Sequence, residues 1–183
     1  MQERRPLAAL SSASGVLVSR RWRRQRTLLT LACAVVVIAA DQVTKDLAVH
    51  DLANGPVHVI GPFSFDLSYN TGVAFSIGSG IGLPIVLVVL SVVGIVIWTT
   101  RGLPSITGSI AVGLVLGGAC GNLSDRLFRG EGGAVVDFIA TSFWPTFNVG
   151  DASIVIGALL LGISVWRHGG AASEKRLPDG SRT

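Results

Sequence analysis

Residues 28–49 read LLTLACAVVVIAADQVTKDLAV, apolar as far as Ala40 and then interrupted by Asp41 and Lys45. A helix needs about 20 residues at 1.5 Å each to cross a hydrocarbon core about 30 Å thick. This stretch is long enough when its polar last turns reach the membrane boundary. Directly before it stand Arg20, Arg21, Arg23, Arg24 and Arg26, with Arg4 and Arg5 further upstream. Basic residues in that position read as a cytoplasmic anchor on anionic lipid, not as a nucleic-acid-binding arm. The apolar run ahead of Cys33 is about five residues, shorter than the 7–15 of a cleaved signal, so the segment reads as an uncleaved first span.

Three further apolar runs follow, giving spans at 28–49, 83–100, 106–123 and a short one at 152–166. Hydrophobic residues make up 49% of the 183 and charged residues only 14%. A soluble domain carries about 25% charged residues. The positive-inside rule places both termini and the second loop in the cytoplasm. Arg101, Arg167, Lys175, Arg176 and Arg182 then join the seven N-terminal arginines inside, and only Lys45, Arg126 and Arg129 lie outside. Trp22, Trp98 and Trp166 fall near the inner interface and Trp144 near the outer one. Residues 1–26 read as a cytoplasmic arm without fixed structure, 27–170 as the membrane domain and 171–183 as a cytoplasmic tail. Cys33 and Cys120, both inside apolar runs, read as small core residues. Gly113, Gly117 and Gly121 recur at a spacing of four, as where helices approach closely. Outer residues 55–77 and 134–140 alternate and are broken by Gly61-Pro62 and Asn70-Thr71-Gly72, which predicts a small sheet on the membrane surface. The fold class is thus membrane all-α: four transmembrane helices with a small extracytoplasmic β-sheet.

This topology gathers the ionisable residues at one face. Asp41 and Lys45 end the first span, Asn122, Asp125 and Arg126 end the third, and Asp137, Asn148 and Asp151 precede or open the fourth. Charge beside hydrocarbon is costly and marks function. Several of these residues also have structural readings. Asp41 and Lys45, four apart with the acid first, suit a helical ion pair. Asp151 suits a helix cap, Asp125-Arg126 a local ion pair, and Asn70 a turn. Asp137 is harder to explain in that way. Among Val135, Val136, Phe138 and Ile139, its carboxyl is expected to be desolvated and its pKa raised.

Two neighbouring aspartates that cannot both ionise supply one base and one acid. Together they can activate water against a peptide bond without a metal or a nucleophilic side chain. No HExxH and no Gly-x-Ser-x-Gly occurs, which argues against zinc peptidases and ordinary serine hydrolases. A transporter using the carboxylates as a proton relay would place them at midplane and often show internal repeats. Neither feature is seen. A non-catalytic assembly factor would tolerate loss of either aspartate.

Five ordered blocks carry a family resemblance: Asp41-Gln42-Val43-Thr44-Lys45, Asn70-Thr71-Gly72-Val73-Ala74-Phe75, the run from Gly117 to Arg126, Val135-Val136-Asp137-Phe138, and Phe147-Asn148-Val149-Gly150-Asp151. In these blocks the chain, over about residues 28–167, resembles lipoprotein signal peptidase, or signal peptidase II. The resemblance implies a catalytic dyad of Asp137 and Asp151. It implies that Asn70, Gly72, Ala74, Asn122, Asp125, Arg126 and Asn148 shape the site and bind substrate, supported by Asp41 and Lys45. It also implies no metal and no cofactor. The expected partners are membrane lipid and diacylglyceryl-modified prolipoproteins, cut just before the lipidated cysteine, with the protein acting as a monomer near the outer leaflet of a bacterial plasma membrane. Inhibition by globomycin is implied as well. Gly150 stands where the family more often has alanine, the stretch 127–134 looks longer than usual, and the arginine-rich arm is longer than such a peptidase needs.

Overall fold

The computed structural model describes residues 7–71 and 105–174. The expected span 83–100, Gly72 and Ala74 lie outside the described residues. Helix α1 covers Leu7–Asp51. It reaches back into the arm expected to lack structure, because leucine, alanine and arginine there are good helix formers. Ala34, Val37, Asp41, Lys45 and Ala48 are buried at spacings of three and four, while Val35, Val36, Val43 and Leu47 on the other side are exposed. That division is what a helix needs to pack on protein along one stripe and face lipid along the rest.

Helix α2 covers Ile106–Phe128 and is capped by Ser105, whose hydroxyl accepts from the Gly108 N–H. Residues Arg21–Asp51 of α1 and the whole of α2 are long and apolar enough to cross a membrane. Helix α3 covers Val149–Glu174, and its apolar part, Val149–Ser164, is shorter. It continues past the expected span end at 166 into the start of the tail, since extending a helix already formed adds one backbone hydrogen bond per residue fixed.

α2 packs between α1 and α3, and glycine makes this possible. A Cβ on Gly113 would come within 2.8 Å of the Thr30 carbonyl oxygen, and one on Gly117 within 2.9 Å of the Ala34 oxygen. The Gly113-Gly117-Gly121 face is therefore filled by α1 and leaves no room there for substrate acyl chains. On the opposite side a Cβ on Gly118 would collide with the Gly150 carbonyl oxygen of α3. Backbone cannot retreat as a side-chain tip can, so Gly118→Ala is expected to destabilise the protein by about 1–3 kcal/mol. Thermal unfolding in detergent checks this, and an unchanged Tm would contradict so tight an α2–α3 contact. Cys120 differs from its expected core role: it is exposed, and Cys33 is half-buried against the Ile110 carbonyl.

The sheet is three-stranded and antiparallel in the order β1 (Val57–Ile60), β2 (Phe63–Asn70), β3 (Val135–Thr141). Gly61, at φ 52°, makes the β1–β2 turn. The register pairs Ser68 with Asp137 and Asn70 with Val135, with an irregularity between Phe65 and Ser68. After α2 ends at Phe128, with Arg129 as its cap, Gly130, Gly132 and Gly133 all take positive φ. The stretch that looked long in sequence is a tight glycine turn returning the chain into β3.

Candidate active site

Asp137 lies at the start of β3, where strand alternation turns its side chain away from that of Phe138. Phe138 packs with Ala48 and Leu52. An apolar cavity of about 250 Å³, lined by residues including Leu47, Phe65 and Phe138, lies against Phe138 and has no Asp137 in its lining. Asp137 is 2% exposed, and Asn148 is fully buried beside it.

Asn148 precedes α3 and accepts the Asp151 N–H on Oδ1 at 2.9 Å, while the Asp151 carboxylate accepts the Asn148 N–H at 3.2 Å. This reciprocal pair is a capping box, with Asn148 as the cap and Asp151 three residues on. The cap expected of Asp151 therefore belongs to Asn148, and Asp151 satisfies the N–H of the cap residue itself.

Side-chain amides link the two aspartates. Asn148 Nδ2 donates to Asp137 Oδ1 at 2.6 Å and lies 3.1 Å from Asn122 Oδ1; Asn122 Nδ2 donates to Asp151 Oδ1 at 2.8 Å. Asn70, at the end of β2, donates from Nδ2 to Asp137 Oδ2 at 3.0 Å. Burial is the largest influence on the Asp137 carboxyl and pushes its pKa up to about 6; the negative charge of Asp151 adds to the rise, while Asn70, Asn148 and the Lys45 cation oppose it. The raised pKa is the one expected from its apolar neighbours in sequence.

Beneath this chain lies a buried ionic cluster. The Lys45 ammonium is 2.8 Å from Asp41 Oδ2, 2.9 Å from Asp125 Oδ2 and 2.8 Å from Asn122 Oδ1. Asp41 Oδ1 accepts the Gly150 N–H at 2.8 Å, in the first turn of α3, where orphan N–H groups favour an anion. Asp125 Oδ2 also accepts the Val136 N–H at 3.1 Å and so fixes the start of β3. The expected Asp41–Lys45 pair is present. The expected Asp125–Arg126 pair is not: consecutive helical residues do not face each other, and Asp125 pairs with Lys45 and with Arg129. Arg126 instead reaches the Asn122 carbonyl at 3.5 Å, and among the described residues its buried Nε has no hydrogen-bond partner.

The structure brings Asn70, Asn122, Asn148, Asp137 and Asp151 into one network and places Asp41, Lys45 and Asp125 under it. Two contributors were not singled out from sequence. Arg129 follows Asp125 at the i+4 spacing of a helical ion pair, so a signal was there. Gln42, which donates to Asp41 beside it and, across the helix interface, to Asp125 and the Gly121 carbonyl, offered none, because the last two lie on another helix. Among the described residues no group of three or more His, Cys, Asp or Glu side chains is arranged to hold a metal ion.

Helices of membrane-spanning length, with two carboxyls linked through buried amides, fit the class of membrane-bound peptidases of aspartic type. Residues 33–167 match the family model described as signal peptidase (SPase) II, and the chain belongs to that family. It is 44% identical over 161 residues to the lipoprotein signal peptidase of Mycolicibacterium smegmatis, covering 85% of this chain and 68% of that one. It is 47% identical over 142 residues to the protein of the same name from Rhodococcus jostii, covering 75% and 72%. A solved structure described as a bacterial membrane enzyme superposes with a TM-score of 0.66 at 28% identity, covering 74% of this chain and 91% of the other. A second structure so described has the same TM-score at 25% identity, covering 84% and 94%.

Proposed function

We propose that this protein is a four-span endopeptidase of a bacterial plasma membrane that removes signal peptides from diacylglyceryl-modified prolipoproteins, cutting just before the lipidated cysteine. Asp137 and Asp151 are its catalytic pair. The observation that carries the reading is the chain Asp137–Asn148–Asn122–Asp151, in which amides hold two carboxyls from different elements in one buried polar site. The names of the relatives support the substrate. Both termini are cytoplasmic, by the distribution of basic residues, and the site opens near the outer leaflet. The exposed Val57, Val59, Ile60, Phe143 and Trp144 suit a sheet and loop resting on the membrane interface.

The chemistry follows from two unequal carboxyls. Asp137, whose pKa burial raises, holds the proton; Asp151 acts as the base and takes a proton from water. The resulting hydroxide attacks the scissile carbonyl carbon, while the Asp137 proton passes to the carbonyl oxygen. The tetrahedral intermediate collapses as the proton taken up by Asp151 moves to the leaving nitrogen and the C–N bond breaks. The products are the signal-peptide carboxylic acid and the free amine of the lipidated cysteine, and the proton that Asp137 gave to the carbonyl oxygen returns to it. Arg126, whose guanidinium interacts electrostatically with Asp151 and Asp137, supplies donors for substrate backbone. By family resemblance Gly72 and Ala74 contribute to substrate binding.

Purified protein in detergent is expected to cut a diacylated prolipoprotein with EDTA present and to leave the unlipidated precursor intact. If wild type cuts neither, even with EDTA left out, the peptidase reading fails. The proton on Asp137 is lost as pH rises through about 6, so kcat/KM of the free enzyme is expected to decline on the alkaline side of that value. Asn70 donates to the ionised carboxylate and holds the pKa down, so Asn70→Ala is expected to shift that limb to higher pH. A pH–rate profile measures it, and a limb moving to lower pH would contradict the assignment.

A further inference from the structure

We propose that Arg129, just beyond the end of α2, is a positioning residue for this reaction: by neutralising Asp125 it leaves the Lys45 ammonium free to orient the Asn122 amide, and through it Asp151. The inference rests on the peptidase reading above and extends it to a residue outside the five sequence blocks.

An ammonium has three hydrogens to donate. Lys45 spends two on Asp41 and Asp125 and the third on Asn122 Oδ1. That third bond is the charged one of two that hold the Asn122 oxygen, the other coming from Asn148 Nδ2. With Oδ1 turned to Lys45, Nδ2 must face Asp151, which it meets at 2.8 Å. Without the cation, Oδ1 keeps only the neutral Asn148 Nδ2 at 3.1 Å, and the amide is held on Asp151 less firmly.

Arg129 makes this division of Lys45 possible. Its Nε donates to Asp125 Oδ1 at 3.0 Å, its Nη1 to Asp46 at 2.7 Å and its Nη2 to Gln42 Oε1 at 3.2 Å. Gln42 in turn donates to Asp125 Oδ1 at 3.0 Å. Asp125 is thus shared: Oδ1 to Arg129 and Gln42, Oδ2 to Lys45 and Val136. The carboxylates of Asp41 and Asp125 are balanced by the cations of Lys45 and Arg129. Removing Arg129 leaves one cation for two buried carboxylates, and attraction draws Lys45 toward Asp125 at the expense of its bond to the neutral Asn122, since charge–charge attraction is the stronger at low dielectric. A planar fork suits this three-way contact better than a point charge, but the charge is what protects the Asn122 bond, so lysine should serve in part.

The test uses the full-length protein in detergent with a synthetic diacylglyceryl lipobox peptide, and compares wild type, Arg129→Gln, Arg129→Lys and Asp137→Asn. Arg129→Gln is expected to lower kcat by about ten- to a hundredfold with KM changed by less than about twofold, and Arg129→Lys to recover most of that loss. A kcat for folded Arg129→Gln within about twofold of wild type would overturn the proposal, as would an effect confined to KM. Equal impairment of Arg129→Lys and Arg129→Gln would also overturn it, since charge would then not matter. If Arg129→Gln does not accumulate as folded protein, Arg129→Lys decides alone: near-normal kcat supports the role of charge, and a loss as large as tenfold or more overturns it. Normal cutting by Asp137→Asn would instead sink the underlying dyad reading, so the two failures are distinct.

Discussion

Asp137→Asn is expected to lower the cleavage rate by about 10²–10⁴-fold while the protein stays folded. The amide has almost the shape of the carboxyl but can neither hold nor release the proton the reaction needs. Its structural cost is limited and can be located. Asp137 accepts from Asn70 on one oxygen and from Asn148 on the other. An amide nitrogen replacing either oxygen would face a donor, so one hydrogen bond is lost, at about 1–3 kcal/mol for the group left unmatched. Asp151→Asn is expected to be as inactive, because its oxygens accept from the Asn122 side chain and the Asn148 N–H in the same way. Cleavage assays with EDTA present, beside unfolding curves, separate loss of chemistry from loss of fold. Folded variants that cut at the wild-type rate would show that the pair is not catalytic.

The second large effect is on stability. Lys45→Met is expected to destabilise the protein by about 3–5 kcal/mol, the usual consequence of removing one partner from a buried ion pair. Methionine matches the length of the lysine stem, so packing is roughly kept and the loss is electrostatic. Asp41 and Asp125, both with fully buried side chains, would face each other's charge without the cation between them. Asp41 anchors the first turn of α3 and Asp125 the first residues of β3, so the damage should spread to the elements that carry Asp151 and Asp137. Thermal unfolding in detergent, followed by peptidase activity on the folded fraction, tests both parts. A Tm equal to that of wild type would mean that the cluster is not held by its charge.

Much of this was legible in the sequence because membrane insertion is read locally. Run length, arginine placement and the alternation in the outer segments act over about 20 residues or fewer, and they yielded α1, α2 and the short α3 as well as the strands of the sheet. Asp137 was legible for a similar reason: its apolar neighbours already imply a desolvated carboxyl. The helix in the arginine-rich arm was less apparent, since charge suggests solvation while intrinsic propensity favours helix.

What the sequence by itself determined is therefore which stretches form long apolar helices and which polar residues gather at one end of them. Only the tertiary structure decided who pairs with whom among them. Asp125 is followed directly by Arg126, yet its partners are Lys45 and Arg129, because a helix points consecutive side chains apart and brings i+4 and neighbouring-helix residues together. Asp151 and Asn148 share the capping of α3, and Asn122 and Asn148 join two aspartates from a strand and a helix. Such contacts depend on three helices meeting at glycine-close distance, a relation among distant residues that no local pattern contains.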